Sequence, residues 1–244
     1  MTDPSSLAVD YFLVLDFEAT CEEKRRLVPQ EIIEWPVVKV NAHTCCIEDP
    51  AFHQYIAPQA HPTVTPFCTQ LTGITQEMVA GQPPFAEALQ RFTAWMIQNR
   101  LAAPAVPQDS SEEEEITPTV PPLRSVFVTC GDWDLKTMLP AQCAVSGVEV
   151  PLAMRTWINI KKVASHCFSR RIDGMPALLQ RCGLSLEGRH HSGIDDAINI
   201  ARCWVHLIKT YPELRTAEGI APWLTRNTAM VAPPGAEGSQ GKIA

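Results

Sequence analysis

Three short acidic stretches hold most of the chemistry this chain offers. Asp16 and Glu18 stand two apart in DFE, at the end of the apolar run Tyr11–Leu15. Residues two apart on a strand project from one face, so both carboxylates point one way and Phe17 the other. Paired carboxylates at the end of a hydrophobic strand are costly to ionise unless a cation holds them, and a divalent metal answers that need. Asp132 and Asp134, in GDWD, follow a second apolar run, Ser125–Cys130. Asp195 and Asp196 open a long amphipathic segment just after His190 and His191. Four carboxylates at strand ends and helix starts, with an imidazole nearby, are what a two-metal phosphodiester hydrolase requires. Two Mg²⁺ ions about 3.5–4 Å apart clamp the attacking and leaving oxygens, and the imidazole takes the proton of the attacking water. A spacing of five is met both by His191/Asp196 and by His190/Asp195.

The elements that must position these groups can be read from periodicity. Tyr11–Leu15 reads as a buried central strand. Glu31–Val40 reads as a second strand, with Pro36 marking a bulge or an edge, and Ile47–Ala57 as a third with Asp49-Pro50 as a turn or bulge inside it. Together they make an antiparallel meander. Phe67–Thr75 is a short helix ended by Gly73, and Thr75 caps another that Gly81 closes. Phe85, Ala88, Leu89, Phe92, Trp95 and Met96 have helical spacing. Ser125–Cys130 is a strand, Leu135–Ala144 a helix, Ala153–Trp157 a short strand, and Ile158–Phe168 and Met175–Arg181 are helices. Asp195–Lys209 is an amphipathic helix ended by Pro212. The order predicts an α/β fold: a mixed β-sheet, antiparallel meander plus parallel strands, flanked by helices on both faces. The expected organisation is an extension at 1–10, one domain at 11–212 and a tail at 213–244. The domain is interrupted at 103–122 by a disordered acidic, Pro-rich insertion.

Bulk properties narrow the partners. Asp109 and Glu112–Glu115 carry five of the seven net negative charges, so the rest of the chain is close to neutral and an acidic total does not exclude nucleic acid. There is neither a secretory leader pattern nor an apolar run long enough for a membrane span. Nine cysteines without a C-x-x-C pair read as free thiols, which places the protein in a reducing compartment, cytoplasmic and/or nuclear.

In that order, DFEAT, GDWD and HHSGIDD resemble the three motifs of the DEDDh 3′→5′ exonucleases, in the DnaQ-like, RNase H-like superfamily. The flanking EIIEWPVV, FCTQLTGIT, VFVTCGDWDLKTMLP and GIDDAINIAR resemble the Eri-1/histone-mRNA 3′-exonuclease-like branch. The resemblance covers roughly Tyr11–Thr210. It implies an RNase H-like fold and a 3′→5′ exoribonuclease that releases 5′-mononucleotides from single-stranded RNA 3′ ends. It further implies two Mg²⁺ ions, with Mn²⁺ as a substitute, held by Asp16, Glu18, Asp134 and Asp196, and His191 as general base. Ala19, Phe67, Leu71 and Trp133 fall where the family lines its 3′-terminal nucleotide pocket, and stacking on aromatics tolerates any base. The flanking SGIDD favours His191/Asp196, and GDWD favours Asp134 over Asp132. Lys161/Lys162 and Arg170/Arg171 stay open between solvated faces and phosphate contacts. No segment ahead of the domain matches the SAP-type module of longer family members. Two other readings keep the fold: a non-catalytic RNA-binding protein and a DNA-directed exonuclease.

Overall fold

The computed structural model describes residues 9–102 and 124–227. The expected insertion at 103–122 lies outside them, as do the first eight residues and the Pro/Gly/Ser-rich end of the tail. Among the described residues one mixed sheet organises the chain. Its strands are β1 (Tyr11–Leu15), β2 (Glu18–Ala19), β3 (Ile32–Asn41), β4 (Cys46–Tyr55), β5 (Ser125–Thr129), β6 (Thr156–Asn159) and β7 (Leu224–Arg226). They lie in the order β2-β3-β1-β5-β6-β7, with β4 also paired to β3. β1, β3 and β4 form the antiparallel meander; β1, β5 and β6 run parallel; β7 returns antiparallel to β6.

Pro36 shapes the point where the first motif begins. Leu15 pairs with Val37 and Glu18 with Glu34, so β2 continues β1 in one register, and Asp16 and Phe17 face Pro36 and Trp35. Proline has no N–H to give the ladder, and the strand breaks opposite it. Pro36 is therefore not on an edge: β3 has neighbours on both sides, and a register shift follows at Val37–Lys39.

Alternation along β1 and β3 separates two cores. Phe12, Val14, Val38 and Val40 pack with α5 (Ile160–Cys167), α6 (Met175–Arg181) and α7 (Gly193–Thr210). Leu13, Leu15, Phe17, Trp35 and Val37 pack with α3 (Phe85–Gln98) and α4 (Leu139–Ser146). The α7 stripe Ile200, Trp204, Leu207 and Ile208 is fully buried, each aliphatic member stabilising the fold by roughly 1.5–3 kcal/mol through burial. Two shorter helices, α1 (Pro66–Thr72) and α2 (Gln76–Val79), bridge β4 to α3. Thr65 caps α1 and Gly73 ends it in the left-handed conformation at φ +81°.

Most boundaries shift by one to three residues from the sequence reading, and three of the differences change how the fold is described. The strand expected at Ala153–Trp157 is Thr156–Asn159, because Leu152–Arg155 winds into a 3₁₀ turn that buries Met154. The helix expected from Leu135 starts as a π turn at Asp134–Met138 before α4. The fold also does not stop at 212. A short helix, α8 (Ala217–Ile220), and the edge strand β7 follow, and Val9 is buried at the other end. A three-residue strand has too little alternation to stand out in a sequence.

Candidate active site

The parallel strands bring the acidic stretches to one edge. β1 and β5 end side by side at Leu15 and Thr129, and Asp16 and the GDWD turn leave the sheet there. The backbone N–H of Phe17 donates to Asp134 Oδ1 at 3.0 Å, tying the first motif to the second. Asp196, in the first turn of α7, completes the cluster: oxygens of Asp16, Glu18 and Asp196 all lie within 4.8 Å of one another. A cavity of about 390 Å³ is lined by these three with Asp134, Trp133, Lys161, His190 and His191.

The electrostatics are those of crowded, desolvated anions. Burial, then repulsion from Asp134 and Glu18, raises Asp16 well above the usual carboxylate range. Burial and the Glu34 carboxylate push Glu18 up to about 9. Burial pushes Asp134 up to about 6 and also raises Asp196. Such a group is stabilised by a divalent cation, and an all-oxygen carboxylate set suits a hard ion such as Mg²⁺ or Mn²⁺.

The paired histidines take different places. His190 Nδ1 lies 3.0 Å from Asp196 Oδ2, and the backbone N–H of His191 donates to that same oxygen at 2.9 Å. The two rings stack with centroids 3.9 Å apart. His191 has φ +66°, a conformation rare outside glycine, which lets its ring fold back over its neighbour. Burial and the adjacent His190 lower its pKa, favouring the neutral imidazole.

The neighbouring acids are committed elsewhere. Asp132 accepts from Trp157 Nε1 at 3.1 Å and pairs with Lys162 Nζ at 2.9 Å. Asp195 accepts from the Arg189 backbone N–H at 2.8 Å and packs against Gly188, where a Cβ would collide with it. Phe67 and Leu71 of α1 line a second cavity of about 640 Å³ together with Arg189, and His190 and His191 form part of its wall as well. Trp133 lies on the carboxylate side instead, 40% exposed. Ala19 lines neither cavity; it is buried, and its carbonyl accepts the Cys68 thiol.

The Exonuclease (RNase_T) family model matches residues 13–110, which hold the first motif and end before the other two. The nuclease domain of 3′hExo, a DEDDh family member, bound to rAMP, superimposes with a TM-score of 0.73 at 33% identity, covering 85% of this chain and 96% of that one. The chain belongs to the DEDDh exonucleases. It is also 48% identical over 196 residues to ERI1 exoribonuclease 3 of Homo sapiens, across 78% of this chain and 51% of that protein. A structure of 3′-end specific recognition of histone mRNA stem-loop by 3′-exonuclease matches with a TM-score of 0.72 at 31% identity, covering 86% of this chain and 85% of that one. The chain spans about half the length of the curated relatives it matches. The DEDDh family implies divalent metal ions.

One residue of this DEDDh exonuclease escaped the sequence reading. Glu34, on β3 directly across from Glu18, is buried and accepts from the first two N–H groups of α7, Gly193 at 2.9 Å and Ile194 at 3.2 Å. Its other contact is His53 Nε2 at 2.7 Å. A carboxylate at a helix N-terminus meets unsatisfied donors and the positive end of the dipole. Glu34 thereby fixes the start of the helix that carries Asp196. A Cβ on Gly193 would come within 3.0 Å of both the Asp16 carbonyl and Glu34, so the residue there must be small. The signal existed: an acid inside the apolar run IIEW is as anomalous as DFE.

Proposed function

We propose that this chain is a divalent-metal-dependent 3′→5′ exoribonuclease that releases 5′-mononucleotides from single-stranded RNA 3′ ends. The observation that carries the reading is the convergence of Asp16, Glu18, Asp134, Asp196 and the two histidines on one cavity. The four carboxylates would hold two Mg²⁺ ions, with Mn²⁺ as substitute, and these supply Lewis-acid charge at the phosphoryl oxygens and a nucleophile at neutral pH. His191 accepts the proton of the attacking water at a ring nitrogen, a role that its lowered pKa favours by keeping the ring neutral. Asp196 sets the histidine loop, holding the His191 backbone and the His190 ring on one carboxylate oxygen. Phe67 and Leu71 give the terminal base an apolar seat on the far side of the histidines, with Trp133 facing the carboxylates. Such surfaces suit an enzyme that must accept each base in turn.

The test is a time course on 5′-labelled single-stranded RNA beside a DNA of the same sequence, with Mg²⁺ or with EDTA. The expected result is an RNA ladder that shortens from the 3′ end and stops in EDTA. Equal trimming of DNA would move the activity to a DNA-directed exonuclease, since the 2′-hydroxyl is what separates the two polymers. RNA bound but never shortened would favour a binding protein on this fold.

A further inference from the structure

The edge of the sheet that presents the carboxylates contains a third parallel strand, and its contribution is a cation. β6 ends beside β5, with Asn159 paired to Thr129. Two residues later Lys161 enters α5, its backbone N–H held by the Asn159 side chain at 3.0 Å. In open α/β sheets, ligands sit beyond the carboxyl ends of parallel strands, so Lys161 leaves its strand where Asp16 and Asp134 leave theirs. Its side chain lies over Gly131, the first residue of GDWD. Lys161 is the one lysine or arginine among the described residues lining the carboxylate cavity.

Three neighbouring cations already have partners. Lys162 pairs with Asp132 at 2.9 Å, and Arg171 with Asp173 at 2.6 Å. The Arg189 guanidinium binds the Gln70 and Leu71 carbonyls at the end of α1. For Lys161 Nζ the structure gives a long contact of 3.5 Å to the Asp173 backbone carbonyl, which leaves its donors largely unspent. An ammonium carries three donors, and a half-buried one beside a substrate cavity is suited to a phosphate oxygen.

We propose that Lys161 binds a non-bridging phosphate oxygen of the RNA strand in the catalytic cavity, anchoring the backbone next to the bond that is cut. The inference rests on the exoribonuclease reading for its substrate and deepens it by naming a phosphate contact. Its rival is a purely internal role, in which Lys161 is a counter-charge for the carboxylates; the ammonium does favour ionised Asp134.

The experiment compares wild type, Lys161→Met, which keeps the aliphatic stem, and Lys161→Arg, which keeps the charge. Binding of a fluorescein-labelled RNA octamer is followed by anisotropy across a range of KCl, with Ca²⁺ as the cation. Turnover with Mg²⁺ is measured separately. Loss of one phosphate contact is expected to weaken binding about tenfold in Lys161→Met and to reduce the slope of log K against log[salt] by about 0.7. Lys161→Arg should restore the slope, and the half-saturating Mg²⁺ concentration should be the same in all three proteins. An unchanged slope in Lys161→Met, with a shifted Mg²⁺ requirement, would overturn the proposal in favour of the counter-charge. Should wild type bind RNA without shortening it, the exoribonuclease reading falls while the slope comparison still decides Lys161. A wild type that fails to bind RNA overturns both.

Discussion

The two faces of the β1–β3 pair are built from alternate residues of the same strands, yet they do opposite things. On one face Phe17 and Trp35 meet edge-to-face at 5.5 Å, and Trp35 goes on to contact Phe52, Phe85 and Phe92. On the other, Asp16, Glu18 and Glu34 crowd together under α7, and the charge of Glu34 raises the cost of ionising both Asp16 and Glu18. The aromatic face stabilises the domain, whereas the acidic face costs stability, because its buried carboxylates are held far from water beside one another. Substitutions on the two faces should therefore separate activity from stability.

The largest effect is expected at Asp16. Asp16→Asn removes charge from the cluster without changing its volume, and turnover on single-stranded RNA should fall by about three orders of magnitude, the scale on which lost electrostatic stabilisation acts. The melting temperature without metal should hold or rise, because a buried acid that is costly to ionise becomes a neutral amide. Full activity would remove Asp16 from the site; a collapsed melting temperature would show that the acidic face also carries structure.

The converse change belongs on the other face. Phe92, on α3, packs against Trp35, Phe52 and Phe127 and is buried. Phe92→Ala should cost about 3–5 kcal/mol in denaturant unfolding, the usual penalty for emptying an aromatic core position. The folded fraction should keep wild-type turnover at low temperature. A loss of activity as large as the loss of stability would mean that the faces are coupled through the strands.

The histidine pair sharpens the comparison within the acidic face itself. His191→Ala should slow cleavage by about 10²-fold and leave metal-dependent stabilisation in place, because its ring makes no hydrogen bond to the carboxylates. His190→Ala should act more weakly on rate, since its ring bonds Asp196 and the effect passes through that residue. Steady-state rates of both variants decide this, and equal losses would undo the assignment of His191.

How far the sequence showed this architecture differs between the two faces. The aromatic face was legible because α3 repeats apolar residues at helical spacing, and the strands carry an unbroken apolar run. The acidic face was half legible. DFE, GDWD and HHSGIDD are anomalies against their apolar context, and topology brought them together as their types require. Choosing Asp134 over Asp132 was beyond local reading, because it depends on Trp157 and Lys162, which engage Asp132 from 25 and 30 residues away in the chain. Glu34 depended on register: only the pairing of Glu18 with Glu34 places it under α7. Pro36 told of a disturbed strand but not where, since the break it imposes appears on its partner at Asp16.

The smallest expected effect, and the one that tests the acidic face as a whole, is the pH dependence of metal stabilisation. Glu18 is raised from an ordinary 4.5 to about 9, and Asp16 and Asp196 are raised in the same direction. Between those two values the folded, metal-free protein holds protons that the unfolded chain has released, so its stability falls as pH rises. The contribution is fully present below about pH 4.5 and is gone once the folded-state value near 9 has been passed. A cation that displaces those protons removes the penalty, and its affinity must climb over the same window. Thermal melts with saturating Mg²⁺ and with EDTA should therefore differ more at pH 8 than at pH 6. At 100 times the dissociation constant, binding contributes about 2.7 kcal/mol, which for a domain of this size is roughly 5–10 °C. Asp16→Asn should lose most of that gain, and His191→Ala should keep it. A gain independent of pH would mean that the carboxylates are already ionised in the metal-free protein, and the contrast between the two faces would then be one of shape rather than of charge.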